Sequence, residues 1–171
     1  MAEEKKNMQN SKGNSLLTPK LVVVRSNGNK GKTTTIWMVL YELISRGATV
    51  RSFKDYSGRK VVPAIMPPIG SLPDFEAEVD WNGKYIILFS HGDTPSWVQT
   101  LMNASLAKNP DYIVCASRSQ YRTNSTWELF ETTYTNIRFE RVCLWSEHSD
   151  NIADALLVKQ PTVEAIVKYM S

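Results

Sequence analysis

The chain has 171 residues, 42% of them apolar and 22% charged, with a net charge of +3 from 20 Lys and Arg against 17 Asp and Glu. Those values exclude a disordered chain, a collagen-like repeat and a disulfide-rich miniprotein, and they fit one globular domain able to bury a core without metal or disulfide staples. The basic excess is too small to mark a nucleic-acid surface, but it suits a small anion held at one local site.

Residues 1–18 are polar, rich in Lys, Asn, Ser and Gly, and are expected to be a mobile tail ahead of a single domain over 19–171. The first ten residues carry no apolar stretch of the secretory type, and no run approaches bilayer length, so the expected compartment is the cytoplasm with no membrane partner. Order begins at Lys20–Arg25, whose β-branched run predicts a strand covered on both faces. A polar loop follows, Ser26-Asn27-Gly28-Asn29-Lys30-Gly31. The spacing of Ile36, Val39, Leu40 and Leu43 predicts a helix from Lys32 to Arg46, stopped at Gly47. Ala48–Phe53 reads as a second strand, joined to the first by a crossover helix.

Residues 54–73 are broken by Gly58, Pro63, Pro67, Pro68, Gly70 and Pro73 and predict an irregular loop, either a lid or a passive connection. Phe75–Trp81 alternates apolar and polar residues, and Asn82-Gly83 links it to the apolar run Lys84–Phe89. That pair predicts a hairpin, with an antiparallel edge strand beside a buried one. Further on, helices are expected over Thr94–Ala107, Asn124–Tyr134 and Asp150–Leu157, and again from Pro161 to the end. Strands are expected over Asp111–Ala116 and Ile137–Trp145. Cys115 and Cys143 lie in two of these apolar runs and read as free buried thiols. His91 and His148 are too few and too scattered for a structural zinc site. The alternation of strands and helices predicts a three-layer α/β/α sandwich with a mainly parallel sheet and one antiparallel edge hairpin. Ligands then belong beyond the carboxyl ends of the strands, on the rim formed by the loops after Arg25, Phe53, Phe89 and Ala116.

The loop Ser26-Asn27-Gly28-Asn29-Lys30-Gly31-Lys32-Thr33-Thr34 lies between a buried strand and an amphipathic helix. It resembles the Walker A motif of the P-loop nucleoside-triphosphate hydrolase superfamily, G-x-x-x-x-G-K-[ST], with Ser26 in place of the first glycine. A loop of this kind aims main-chain N–H groups at a phosphate chain, and the start of the helix adds its partial positive charge. The resemblance implies binding of ATP (or GTP) with Mg²⁺, and γ-phosphoryl transfer to water or to a small-molecule acceptor. Residues 26–34 would cradle the phosphates, Lys32 would reach the β- and γ-phosphates, and Thr33 would bind the metal. Tyr85–Phe89 resembles a Walker B strand whose acid is displaced to Asp93, which would help to hold Mg²⁺ or cap the next helix. Asp55 or His91 would orient the nucleophile, and Arg118 and Arg122 would clamp phosphate oxygens. Tyr121 and Trp127 are candidates to stack on a base, or packing residues.

The alternative to an enzyme is a nucleotide-binding module with little or no turnover, favoured by Ser26 and by the lack of an acid at the end of a strand. A DNA-partition ATPase ranks lower, because Asn27 stands where that branch carries a loop lysine. A GTP switch ranks lower still, because no N-K-x-D motif is present.

Overall fold

The computed structural model describes residues 19–26, 31–118, 125–134, 139–143 and 152–171. The expected tail, loop residues 27–30, Tyr121, Arg122 and His148 lie outside the described residues, as does the side chain of Cys143. The protein is an α/β fold on a six-stranded mixed sheet, ordered β2-β3-β4-β5-β1-β6. The strands are β1 (Lys20–Ser26), β2 (Thr49–Asp55), β3 (Phe75–Trp81), β4 (Lys84–Phe89), β5 (Tyr112–Arg118) and β6 (Phe139–Cys143). The helices are α1 (Lys32–Ser45), α2 (Pro95–Leu106), α3 (Thr126–Thr132) and α4 (Ile152–Met170).

β1 is parallel to both β5 and β6, and β5 is parallel to β4. β3 is antiparallel to both of its neighbours, β2 and β4. Every strand except β3 therefore runs the same way. Alternate residues of β1, β4 and β5 feed two cores, one on each face. Val22, Val24, Ile86, Leu88 and Val114 pack with Ile36, Trp37 and Leu40 of α1 and with Ile166 and Met170 of α4. Leu21, Val23, Ile87, Phe89 and Ile113 pack with Val98 and Met102 of α2 and with Trp127 and Phe130 of α3. Cys115 is buried and free, as expected.

The hairpin forms where Asn82-Gly83 predicts it. Asn82 has φ 49° and Gly83 φ 71°, the two positive values that a type I′ turn needs. The expectation that β3 lies at the edge does not hold, because β2 pairs outside it. β2 is also not next to β1, although one helix joins them. Its composition explains this: Arg51, Ser52 and Lys54 are exposed, and charges of this kind protect an open sheet edge. The largely apolar strand β5 takes one place beside β1, and β6 takes the other. A groove lined by Ser52, Lys54, Glu76, Glu78, Ile87 and Lys108 runs between α2 and the strands β2, β3 and β4, and contains none of the candidate site residues.

The two C-terminal helices predicted on either side of Pro161 form one, α4, with Pro161 inside it. Proline removes a hydrogen bond to the carbonyl four residues back, that of Leu157. Leu157 is 71% exposed, so this break lies on the side facing water. Val163, Ile166, Val167 and Met170, none more than 1% exposed, seat the following turns on the core.

β2 continues through Lys54 and Asp55, where an irregular loop is expected, and residues 56–74 are irregular apart from one 3-10 turn at Ile69–Ser71. They are held down rather than loose. Trp37 Nε1 donates to the Pro73 carbonyl at 2.8 Å and Tyr41 Oη to the Pro63 carbonyl at 2.6 Å. Val62, Met66 and Leu72 pack against the core.

Candidate functional site

Because β3 runs against the others, its amino end meets their carboxyl ends on one rim. Asp74, the residue before β3, therefore faces the loops that follow β1, β4 and β5. α1 starts on this rim at Gly31, whose φ of 83° and ψ of 21° lie in the left-handed region that glycine adopts without penalty. Among the described residues no side chain caps α1, and its first turn contains no acid of its own. Its leading N–H groups are left open to an acceptor, and the carboxylates near its positive dipole end, Asp74 and Asp93, come from other elements. Thr35 stiffens the turn, as its N–H and its hydroxyl both donate to the Gly31 carbonyl, at 3.0 and 3.1 Å. Thr34 is buried.

Lys32 is 6% exposed. Its ammonium lies 3.5 Å from the Ser26 carbonyl and 3.5 Å from Asp93 Oδ1. Arg118 Nε donates to the same Oδ1 at 2.9 Å. Burial lowers the Lys32 pKa, and the Asp93 carboxylate only partly opposes this. Burial would raise the Asp93 carboxyl, but the Arg118 hydrogen bond and the Lys32 charge outweigh it and hold the group below the usual carboxylate range. Asp93 does not cap α2; the cap position is Thr94, and it makes no side-chain hydrogen bond there. Gly92 sets the position of Asp93. A Cβ on Gly92 would lie 2.7 Å from the Ala116 backbone carbon and oxygen, so no larger residue fits between β4 and β5 at that point.

Thr33 does not meet Asp93 but Asp74, to which its hydroxyl donates at 3.0 Å. Ser90 Oγ donates to the same oxygen of Asp74 at 2.9 Å and accepts from the Phe75 N–H at 3.0 Å. His91 Nδ1 lies 3.1 Å from the other oxygen of Asp74. Nε2 is buried without a partner among the described residues, and the rings of Tyr56 and Trp97 stand 6.3 and 6.1 Å away. His91 thus supports Asp74 and presents no base to the α1 terminus.

Other candidates are placed differently. Asp55 ends β2, four strands from β1, roughly 19 Å away at the usual strand spacing. Its carboxylate accepts from the Ser57 N–H and hydroxyl and from the Arg59 N–H and guanidinium. Burial would raise its pKa, yet these bonds outweigh it and leave the group lowered. Asp55 therefore closes a turn and is not brought together with Lys32. Ser26 ends β1 in ordinary strand pairing with Arg118 and is absent from the residues with positive φ. A serine costs no strain there. Trp127 is fully buried, with the Arg25 guanidinium 3.3 Å from its ring centroid, and has no surface to offer a base. Asn27, Gly28, Asn29, Lys30 and Arg122 lie outside the described residues.

Comparison of the chain with protein-family models, curated proteins and solved structures returned no match.

Two sets of groups thus converge at the start of α1. One is cationic, made of Lys32 and Arg118 around a single carboxylate. The other offers oxygen, from the Thr33 hydroxyl and Asp74. Asp74 and Ser90 are missing from the sequence reading. The signal that finds them is the direction of β3, which no local motif records. Among the described residues no cluster of three or more His, Cys, Asp or Glu could hold a metal by itself, and no helix is long and apolar enough to cross a membrane. A cation bound at Thr33 and Asp74 would need most of its ligands from a bound anion and water. Mg²⁺ is commonly held in that way, by one or two protein oxygens plus phosphate.

Proposed function

We propose that this chain is a P-loop-type protein that binds the phosphate chain of a nucleoside triphosphate, ATP before GTP, with Mg²⁺, and transfers or hydrolyses its γ-phosphoryl. The observation that carries this reading is the meeting, at one uncapped helix start, of left-handed Gly31, buried Lys32 and the Thr33–Asp74 hydrogen bond. Main-chain N–H groups and an ammonium suit the phosphate oxygens. The Thr33 hydroxyl and the Asp74 carboxylate are hard oxygen donors that suit Mg²⁺, which when bound would neutralise charge on the β- and γ-phosphates. The parallel strands β4, β5, β1 and β6, with helices on both faces, agree with this architecture.

In this reading Asp93 is the counter-ion of Lys32 and Arg118, and a bound phosphate competes with it for both cations. The remaining cation, Arg118, stabilises charge on the transferring group. Asp74 takes the metal-side role that the sequence reading gave to Asp93. The acceptor is water or a small molecule. A second reading, a binding module with little turnover, is favoured by the enclosed His91 Nε2, which keeps that histidine from acting as a base at the site.

A thermal-shift screen of ATP, GTP and nucleoside monophosphates, each with and without Mg²⁺, tests the binding. At a ligand concentration a hundred times Kd the stabilisation is about 2.7 kcal/mol. The triphosphates should stabilise the chain in a Mg²⁺-dependent way, and Asp74→Asn should remove that dependence. No shift with any nucleotide would overturn the proposal. Single-turnover phosphate release that depends on Lys32 separates the enzyme from the binding module.

A further inference from the structure

Helix α4 brings one more cation to the start of α1. The Lys159 side chain lies over Gly31 so closely that a Cβ on that glycine would be 2.4 Å from Lys159 Cε and 3.0 Å from its Nζ. The ammonium is partly buried, and among the described residues it donates only to the Ala155 carbonyl of its own helix, at 3.3 Å. Among the described residues no carboxylate lies within ion-pair distance of it. Burial lowers its pKa. A partly desolvated ammonium without a counter-ion is costly to keep. Here it also sits over the start of α1, where the ion-paired carboxylate of Lys32, Asp93, is already shared with Arg118. Three cations, Lys32, Arg118 and Lys159, thus meet two carboxylates, Asp93 and Asp74, at the start of α1, an arrangement that suits a polyanion.

We propose that Lys159 is a second phosphate-binding cation of the Gly31 site, supplied by α4 rather than by the loop, so that a bound polyphosphate ties α4 to the start of α1. The inference rests on the reading of this site as a phosphate cradle. Glycine at position 31, required by its left-handed backbone, also leaves room for the Lys159 side chain to lie over the start of α1.

Titration calorimetry with MgATP and with magnesium pyrophosphate, on the full chain and on Lys32→Ala, Lys159→Gln and Lys159→Arg, tests it. Loss of one charge-assisted contact should weaken both ligands about tenfold or more in Lys159→Gln, with Lys159→Arg recovering most of the affinity. Amine acylation followed by mass spectrometry gives a second readout on the unmutated chain. Lys159 should be reactive without ligand and protected by either one. If the unmutated chain binds neither ligand, the phosphate reading itself fails and this inference with it. If it binds, Lys32→Ala loses binding, and Lys159→Gln binds as well as the unmutated chain with Lys159 unprotected, only the assignment of Lys159 is overturned.

Discussion

Gly92 does its work by having no side chain. The main chain after β4 must pass Ala116 of β5 closely enough to hold Asp93 against Lys32 and Arg118, and a Cβ on Gly92 would meet the Ala116 backbone at 2.7 Å. Backbone cannot rotate away as a flexible side chain can. Gly92→Ala should therefore cost about 1–3 kcal/mol of stability, the usual range for forcing an extra carbon into a packed site. It should also loosen the Asp93 pairs. Thermal denaturation measures the first effect, and an unchanged Tm would refute the contact. Gly31 is a different case, since its neighbour Lys159 is flexible but its φ of 83° is not. The sequence singled out Gly31, Lys32 and Thr33 because each type is needed at that spacing, and they form the start of α1. It could not single out Asp74. One acid after a proline-rich loop carries no pattern, and its value comes from a strand that runs backwards.

At the scale of elements, one stripe of α1 joins the site to the fold. Thr33, Trp37 and Tyr41 are spaced by four residues and lie on one face. They bond in turn to Asp74, to the Pro73 carbonyl and to the Pro63 carbonyl. The helix thereby fixes the long loop that delivers Asp74, which is why that loop is a support rather than a lid. Trp37 also packs on Phe53 and Phe75, with ring centroids 5.7 and 4.5 Å away. Trp37→Phe removes the bond to Pro73 and part of this packing. It should lower stability by about 1–3 kcal/mol, seen as a lower urea midpoint with an unchanged m-value, and should weaken any Mg²⁺ dependence of ligand binding. A loss of stability without that second effect would mean that Asp74 is positioned by Ser90 and His91 alone. Local patterns made most elements legible: the Asn82-Gly83 turn, the alternation in β3 and the apolar runs of β1 and β5. What they did not reveal was pairing over distance. The exposed charges of β2 send it to the edge, and the anchors after Pro161 carry α4 through a residue that locally reads as a stop.

For the whole molecule, buried carboxylates set the response to acid. Asp55 is fully enclosed and held below its ordinary pKa by Ser57 and Arg59, which outweigh the opposing effect of burial. A lowered folded-state pKa gives stability that is present above the unfolded value, about 3.9, and is lost as pH falls through the folded value. The stability difference between the unmutated chain and Asp55→Asn should therefore be full at pH 7 and shrink below about pH 4. Urea denaturation across that range measures it, and a difference independent of pH would contradict the role of ionised Asp55. Asp93 is lowered in the same direction by Arg118 and Lys32, so the site itself should loosen in acid. The central claim concerns the other charge of that pair, the ammonium of Lys32 at the start of α1. Isothermal titration of MgATP into the unmutated chain and into Lys32→Ala, with folding of both checked by circular dichroism, tests it most directly. The account predicts saturable binding to the first and none measurable to the second; equal affinity for the two, or no heat from either, would contradict it.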